Sequence, residues 1–103
     1  MSFAKGNAEL IQQAAESELN SIRQAFGNEY HSNHEAWAVL KEELEEAEDA
    51  MERVKYEVET GLWRGVKQNS ISDDRLTDLE NSAMHVALEL IQVVAVARKW
   101  RKA

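Results

Sequence analysis

Three carboxylates and an amide, set in apolar surroundings, are the residues of this chain whose types and spacing could do chemistry. His85, Glu89 and Gln92 stand at i, i+4 and i+7 in the stretch Ala83 to Ala97, whose other residues are all apolar. In a helix they share one face. A carboxylate in such a helix is costly unless it is paired, hydrogen-bonded or bound to a metal. A second interruption matches the first: Glu43 and Glu46 replace apolar groups in the line Ala36, Val39, Ala50. Helices running in opposite directions would set Glu43 and Glu46 against Glu89 and Gln92. Hard oxygen ligands of this kind favour magnesium, or manganese, and magnesium completes its shell with waters and substrate phosphates. The chemistry that fits is phosphoanhydride hydrolysis. The metal would neutralise phosphate charge and lower the pKa of an attacking water, and Glu42, next to the pair, is the candidate to accept its proton.

The elements that must position these groups are helices. The 103 residues contain no proline and four glycines, and Ala, Leu, Glu, Gln, Lys and Arg dominate, so long helices are favoured. Asn7 is the expected cap of a first helix that runs to about Phe26, with Ile11, Ala15, Leu19, Ile22 and Phe26 on one face and Gly27 as its stop. Ser32 or Asn33 caps a second helix expected to reach about Thr60. Its expected core stripe is Trp37, Leu40, Leu44, Ala47, Met51, Val54 and Val58, the a/d spacing of a helix packed lengthwise on another. Gly61 and Gly65 bracket a break, and Lys67 to Ser72 reads as a connection. Ser70 or Ser72 caps the third helix, with Asp73 and Asp74 at the positive end of its dipole. The apolar run in this helix predicts burial on nearly all sides. The fold expected is all-α, an antiparallel bundle of three main helices in one domain spanning 1–103.

Composition narrows the function classes. Twelve basic against 19 acidic residues give a net charge of −7, which argues against nucleic acid or an anionic membrane as partner and favours cations. The apolar segment 83–97 is shorter than the roughly 20 residues a membrane span needs and carries a carboxylate. With no cysteine there is neither a disulfide framework nor a thiolate metal site. Met1 to Asn7 lacks the regions of a secretory signal, so the cytoplasm is the expected compartment. A single domain of this length leaves much apolar surface uncovered, so a partner subunit is expected.

At this point the residues resemble a family. Lys41 to Ala50, KEELEEAEDA, contains Glu42-Glu43-x-x-Glu46, which is similar to the EExxE motif of the MazG-like all-α nucleoside triphosphate pyrophosphohydrolases. The second motif of that family, ExxD, has its counterpart in Glu89-Leu90-Ile91-Gln92, within ELIQVVAVARKW. That string, the lead-in HSNHEAWAVLKEE and the segment Arg23 to Gly27 resemble a branch of short MazG-like proteins common in phages and prophages, so the likeness covers Arg23 to Trp100. The resemblance implies that Glu43, Glu46 and Glu89 hold magnesium, with Gln92 where the family has aspartate. It implies cleavage of a nucleoside triphosphate to the monophosphate and pyrophosphate, and assembly as a homodimer or homotetramer. A glutamine coordinates through its carbonyl but brings no charge, so weakened metal affinity is expected.

Other residues have simpler readings. Glu45, Glu48, Asp49 and Glu52 read as a solvated helix face. Lys99, Arg98 or Arg64 could neutralise Glu89, and Lys99, Arg64 and Lys67 are the candidates for phosphate contact. His85 reads as a hydrogen-bonded histidine more than a ligand, and His31 and His34 as surface groups, since no HExxH is present. Trp37 and Trp100 read as packing anchors. Arg98, Lys99, Arg101 and Lys102 complement the negative end of a helix dipole. There is no glycine-rich phosphate loop and no Ser/His/Asp or Cys/His set. The rival function is a non-catalytic helical interaction module with a relic site, favoured by the missing aspartate.

Overall fold

The computed structural model describes residues 5–101; Lys102 of the basic cluster and the first residues of the Met1 to Asn7 stretch lie outside them. The described chain is helical, with no strand among the described residues. Helix α1 spans Lys5–Phe26, α2 Asn33–Tyr56, α3 Trp63–Lys67 and α4 Asp73–Trp100, and a π-helical segment, Glu57–Leu62, joins α2 to α3 without a break.

Local chemistry explains most of the boundaries. Gly27, at φ 88°, stops α1 in a conformation that costs a side-chain-bearing residue more than glycine. Ser32 caps α2, its side chain accepting from the Glu35 N–H at 3.0 Å. Ser72 caps α4, accepting from the Arg75 N–H at 3.2 Å, with Asp73 and Asp74 in the first turn. Two expectations need correction. Asn7 lies inside α1 and does not cap it. Gly61 and Gly65 do not end the second helical stretch; both are buried within it where other chain segments come close. A Cβ on Gly65 would sit 2.7 Å from the Ser70 carbonyl oxygen and 2.6 Å from Ile71 Cδ1.

Contacts of α2 and the π-helical segment that continues it with α4 run in opposite order along the two stretches. Trp100 Nε1 donates to Asn33 Oδ1 at 3.0 Å, Glu43 meets Gln92, and Ser82 Oγ donates to Glu57 Oε1 at 3.0 Å. Helix α1 packs on α4, where Arg98 bonds Gln12 and lies 3.7 Å from Glu16. The core is made of small side chains: Ala15, Leu19, Ala36, Ala47, Ala50, Val86, Ala95 and Val96. Alanines let helix axes approach closely, and the residues buried along α2 are Ala36, Ala47 and Ala50.

The large apolar groups mostly face outward. Trp37, Leu44, Met51 and Val58, four of the seven residues of the expected core stripe, are exposed, and only Ala47 of that stripe is buried. On α4 the expectation of burial all round also fails, since Met84, Leu88, Leu90 and Val94 are exposed. The stripe that packs is its neighbour, in which Ala36 and Ala50, with Ala47 beside them, are small enough to admit α4 and Val39 and Glu43 are half-buried. The accessible surface, 7878 Å², exceeds the roughly 5,900 Å² usual for a compact monomer of this mass. The radius of gyration, 17.2 Å, exceeds the ~13 Å usual for this length. By length and composition α4 is also long and apolar enough to cross a bilayer, because the helix extends well beyond the 83–97 segment; here it packs on α1 and α2 with Glu89 against polar groups.

The close approach at Gly65 gives a direct test. Gly65→Ala is expected to lower stability by about 1–3 kcal/mol, the usual range for overpacking against a backbone that cannot yield. Gly6→Ala, which meets nothing within 4 Å, is expected to stay within about 0.5 kcal/mol of the parent. Thermal or urea unfolding of both variants reads the difference.

Candidate metal centre

Two helices build the site. From α2, Glu43 and Glu46 project one turn apart; from α4, Glu89 and Gln92 do the same. One carboxylate oxygen each from Glu43, Glu46 and Glu89 lie within 4.8 Å of one another. Glu89 is the deepest, 9% exposed, Glu43 is half-buried, and Glu46 opens to solvent. Four of the residues singled out in the sequence are therefore brought together. Glu42 is not in the convergent group: it is exposed on the next position of α2, although its charge reaches Glu43 and Glu46.

Each carboxylate has identifiable partners. His85 Nε2 lies 3.0 Å from Glu89 Oε1 and donates to it in the tautomer that carries the hydrogen there. The Gln92 amide sits between the helices. With its NH2 group turned inward it donates to Glu43 Oε2 at 2.9 Å and to Glu89 Oε2 at 3.0 Å; with its carbonyl inward, that oxygen faces acceptors only. Amide orientation follows from what surrounds it, so the first orientation suits a site without a cation and the second a site around one.

Crowding of like charges shifts the titration of the cluster. Burial pushes the Glu43 carboxyl up to about 7, with the charges of Glu46, Glu89 and Glu42 adding to it and a hydrogen bond with Glu46 following. Glu46 is held above its ordinary value by loss of hydration, then by the charge of Glu89 and a hydrogen bond with it. Tyr30, near the same end of α2, is raised by burial and by the charges of Glu35 and Glu43, so it keeps its hydroxyl proton at neutral pH.

The donor set fits a small hard cation. Magnesium binds oxygens at 2.0–2.1 Å in an octahedron, which places ligand oxygens roughly 3–4 Å apart, and small side-chain rotations would bring the three carboxylates to that spacing. Glu43 also borders a cavity of about 310 Å³, lined chiefly by Ile22, Phe26, Tyr30, Val39, Val96 and Lys99. Lys99, expected to neutralise Glu89 or to contact phosphate, is buried with its ammonium 4.1 Å from the centre of the Tyr30 ring. The partner of Glu89 is instead His85. Tyr30 was not legible as a site residue, because it lies in a polar loop with no pattern around it. Trp37 is exposed and is no packing anchor within one copy, whereas Trp100 is half-buried and bonded to Asn33.

No family model, curated protein or solved structure matches the chain.

The raised Glu43 pKa has a stability consequence whose sign is fixed. Between the unfolded value of 4.5 and the folded value of about 7, the native state binds more protons than the unfolded state, so stability falls as pH rises through that window. Unfolding midpoints measured in chelator from pH 4.5 to 8 are expected to decline, and Glu43→Gln is expected to flatten the decline and raise the midpoint at pH 8. Saturating magnesium should act in the same direction at pH 8, by linkage.

Proposed function

We propose that this chain is a divalent-cation-binding helical protein, and in particular a MazG-like nucleoside triphosphate pyrophosphohydrolase with weakened activity. The observation that carries the reading is the convergence of Glu43, Glu46, Glu89 and Gln92 from two helices onto one point, with Glu89 at its buried end and Glu46 at its open end. Their order along the chain agrees with the two motifs of the family the sequence resembles. In this reading Glu43, Glu46 and Glu89 hold magnesium, or manganese, and the Gln92 carbonyl completes the protein's share of the ligands. The bound metal supplies charge neutralisation to the phosphates and acidity to a water. Glu42, exposed beside the pair, would accept the proton of the attacking water as that water's oxygen bonds to the α-phosphorus and the bridging oxygen leaves with pyrophosphate. The 310 Å³ cavity beside Glu43 is of a size to receive the base.

The reading includes self-association. The exposed heptad line Trp37, Leu44, Met51 and Val58, with Met84 and Leu88 of α4 also exposed, suits an antiparallel bundle completed by further copies of the chain, a dimer or tetramer. It fits a cytoplasmic protein whose partners are a nucleotide and its own copies, with neither nucleic acid nor membrane involved.

One observation favours a second reading, a non-catalytic helical module. Gln92, turned inward, hydrogen-bonds both Glu43 and Glu89 and so satisfies part of the cluster without any metal. Calorimetry separates the two. A catalytic site binds magnesium at millimolar concentration or tighter and loses it in Glu43→Ala or Glu89→Ala, whereas a relic binds none and those changes only alter the melting temperature.

Activity is expected as pyrophosphate release from at least one member of a nucleoside triphosphate panel with magnesium. Gln92→Asp, which adds an ionic ligand, is expected to raise it by about tenfold, equivalent to ~1.4 kcal/mol. Absence of pyrophosphate from every nucleotide at high protein concentration would remove the hydrolase reading. Light scattering should give a mass of two or more copies, and the double change Leu44→Glu, Met51→Glu should give one.

A further inference from the structure

At the end of the molecule where α1 stops, α2 starts and α4 finishes, a cavity of about 590 Å³ opens, bordered by Arg23, Glu29, Tyr30, His31, Lys99 and Arg101 among others. Its charge runs against that of the whole chain: three permanently basic groups and a histidine face a single carboxylate, in a protein of net charge −7. Three donors on its wall lack acceptors. Arg23 Nε and the Tyr30 hydroxyl are buried without a hydrogen-bond partner. Lys99 is 6% exposed, and among the described residues no carboxylate pairs with it; its ammonium rests on the Tyr30 ring. A lysine whose stem is packed and whose ammonium has only a ring face beside it leaves a positive charge free to meet an anion in the cavity. The packing of α1 and α2 against the last turn of α4 holds all three donors at one place.

We propose that this cavity is an oxyanion site that takes a phosphate group, with Lys99 as its main charge and Arg23 and Tyr30 as its directional donors. Arginine, lysine and a phenol together match the several acceptor oxygens of a phosphate better than those of a halide. The aromatic faces of Tyr30 and Trp100 on the same wall, and a volume within the range of small-molecule sites, suit a phosphorylated compound larger than free phosphate. The site needs no metal, so it holds whether or not the carboxylate cluster is catalytic. Tyr30 and Lys99 also line the smaller cavity next to Glu43, which makes the two sites neighbours.

Titration calorimetry of the full chain with inorganic phosphate and with pyrophosphate, in chelator to exclude any divalent cation, tests the site. Saturable binding at millimolar concentration or tighter is expected, weakened about tenfold or more in Lys99→Met, which keeps the buried bulk, and in Arg23→Gln. Arg23→Lys should retain part of it, and Glu43→Gln with Glu89→Gln should keep or tighten it, since two nearby negative charges are removed, which separates this result from the fate of the hydrolase reading. Circular dichroism of each variant guards against unfolding, and Tyr30 fluorescence or ring NMR signals should shift on phosphate addition in the parent. No saturable binding in the parent, or equal binding in folded Lys99→Met, would overturn the proposal.

Discussion

A carboxylate buried in the middle of an apolar helix sets the terms for everything around it. Glu89 could be accommodated only by surrounding it with groups that accept or offset its charge, and the structure provides His85 from its own helix and Gln92 one turn on. What it provides from across the seam is more acid, Glu43 and Glu46. That is an unfavourable arrangement for a purely structural cluster. Burial and mutual repulsion hold protons on Glu43, a cost the native state bears unless a cation replaces them. The proposed magnesium site turns this electrostatic debt into affinity.

The same seam explains where the bulk went. To bring two polar stripes face to face, α2 and α4 must approach closely, and the alanines at 36, 47, 50 and 95 allow it. Large residues would hold the helices apart, so Trp37, Leu44, Met51 and Val58 lie on the outer side. One copy thus shelters the acids but leaves its heaviest apolar groups in water. The high accessible surface and extended shape follow from that arrangement, and the proposed self-association would cover these groups.

Much of this was readable before any coordinates. Helix existence, the Ser32 and Ser72 caps and the Gly27 stop follow from local rules, because caps and faces are set by residues a few positions apart, and the meeting of Glu43, Glu46, Glu89 and Gln92 follows once two matching polar interruptions are set face to face. Three features depend on tertiary contacts that local spacing does not carry. The heptad on α2 identifies an apolar stripe but not which surface it meets, and an exposed stripe has the same period as one that packs in the core. Gly61 and Gly65 read as breakers because close approach by Arg75 and Ser70 is a tertiary fact. The orphaned donors Arg23 and Tyr30 come from separate elements, so no spacing announces their meeting with Lys99, which the sequence already marks as a candidate phosphate contact.

The proposed cation is best tested by direct observation. A crystal of the chain grown or soaked with manganese, with diffraction recorded at the manganese absorption edge, would locate the metal by its anomalous signal. The expected result is one strong peak between the two helices, about 2.2 Å from carboxylate oxygens of Glu43, Glu46 and Glu89, the distance typical of a hard divalent ion, with the Gln92 carbonyl turned toward it. No peak there at saturating manganese, with the Gln92 NH2 bridging Glu43 and Glu89, would contradict it.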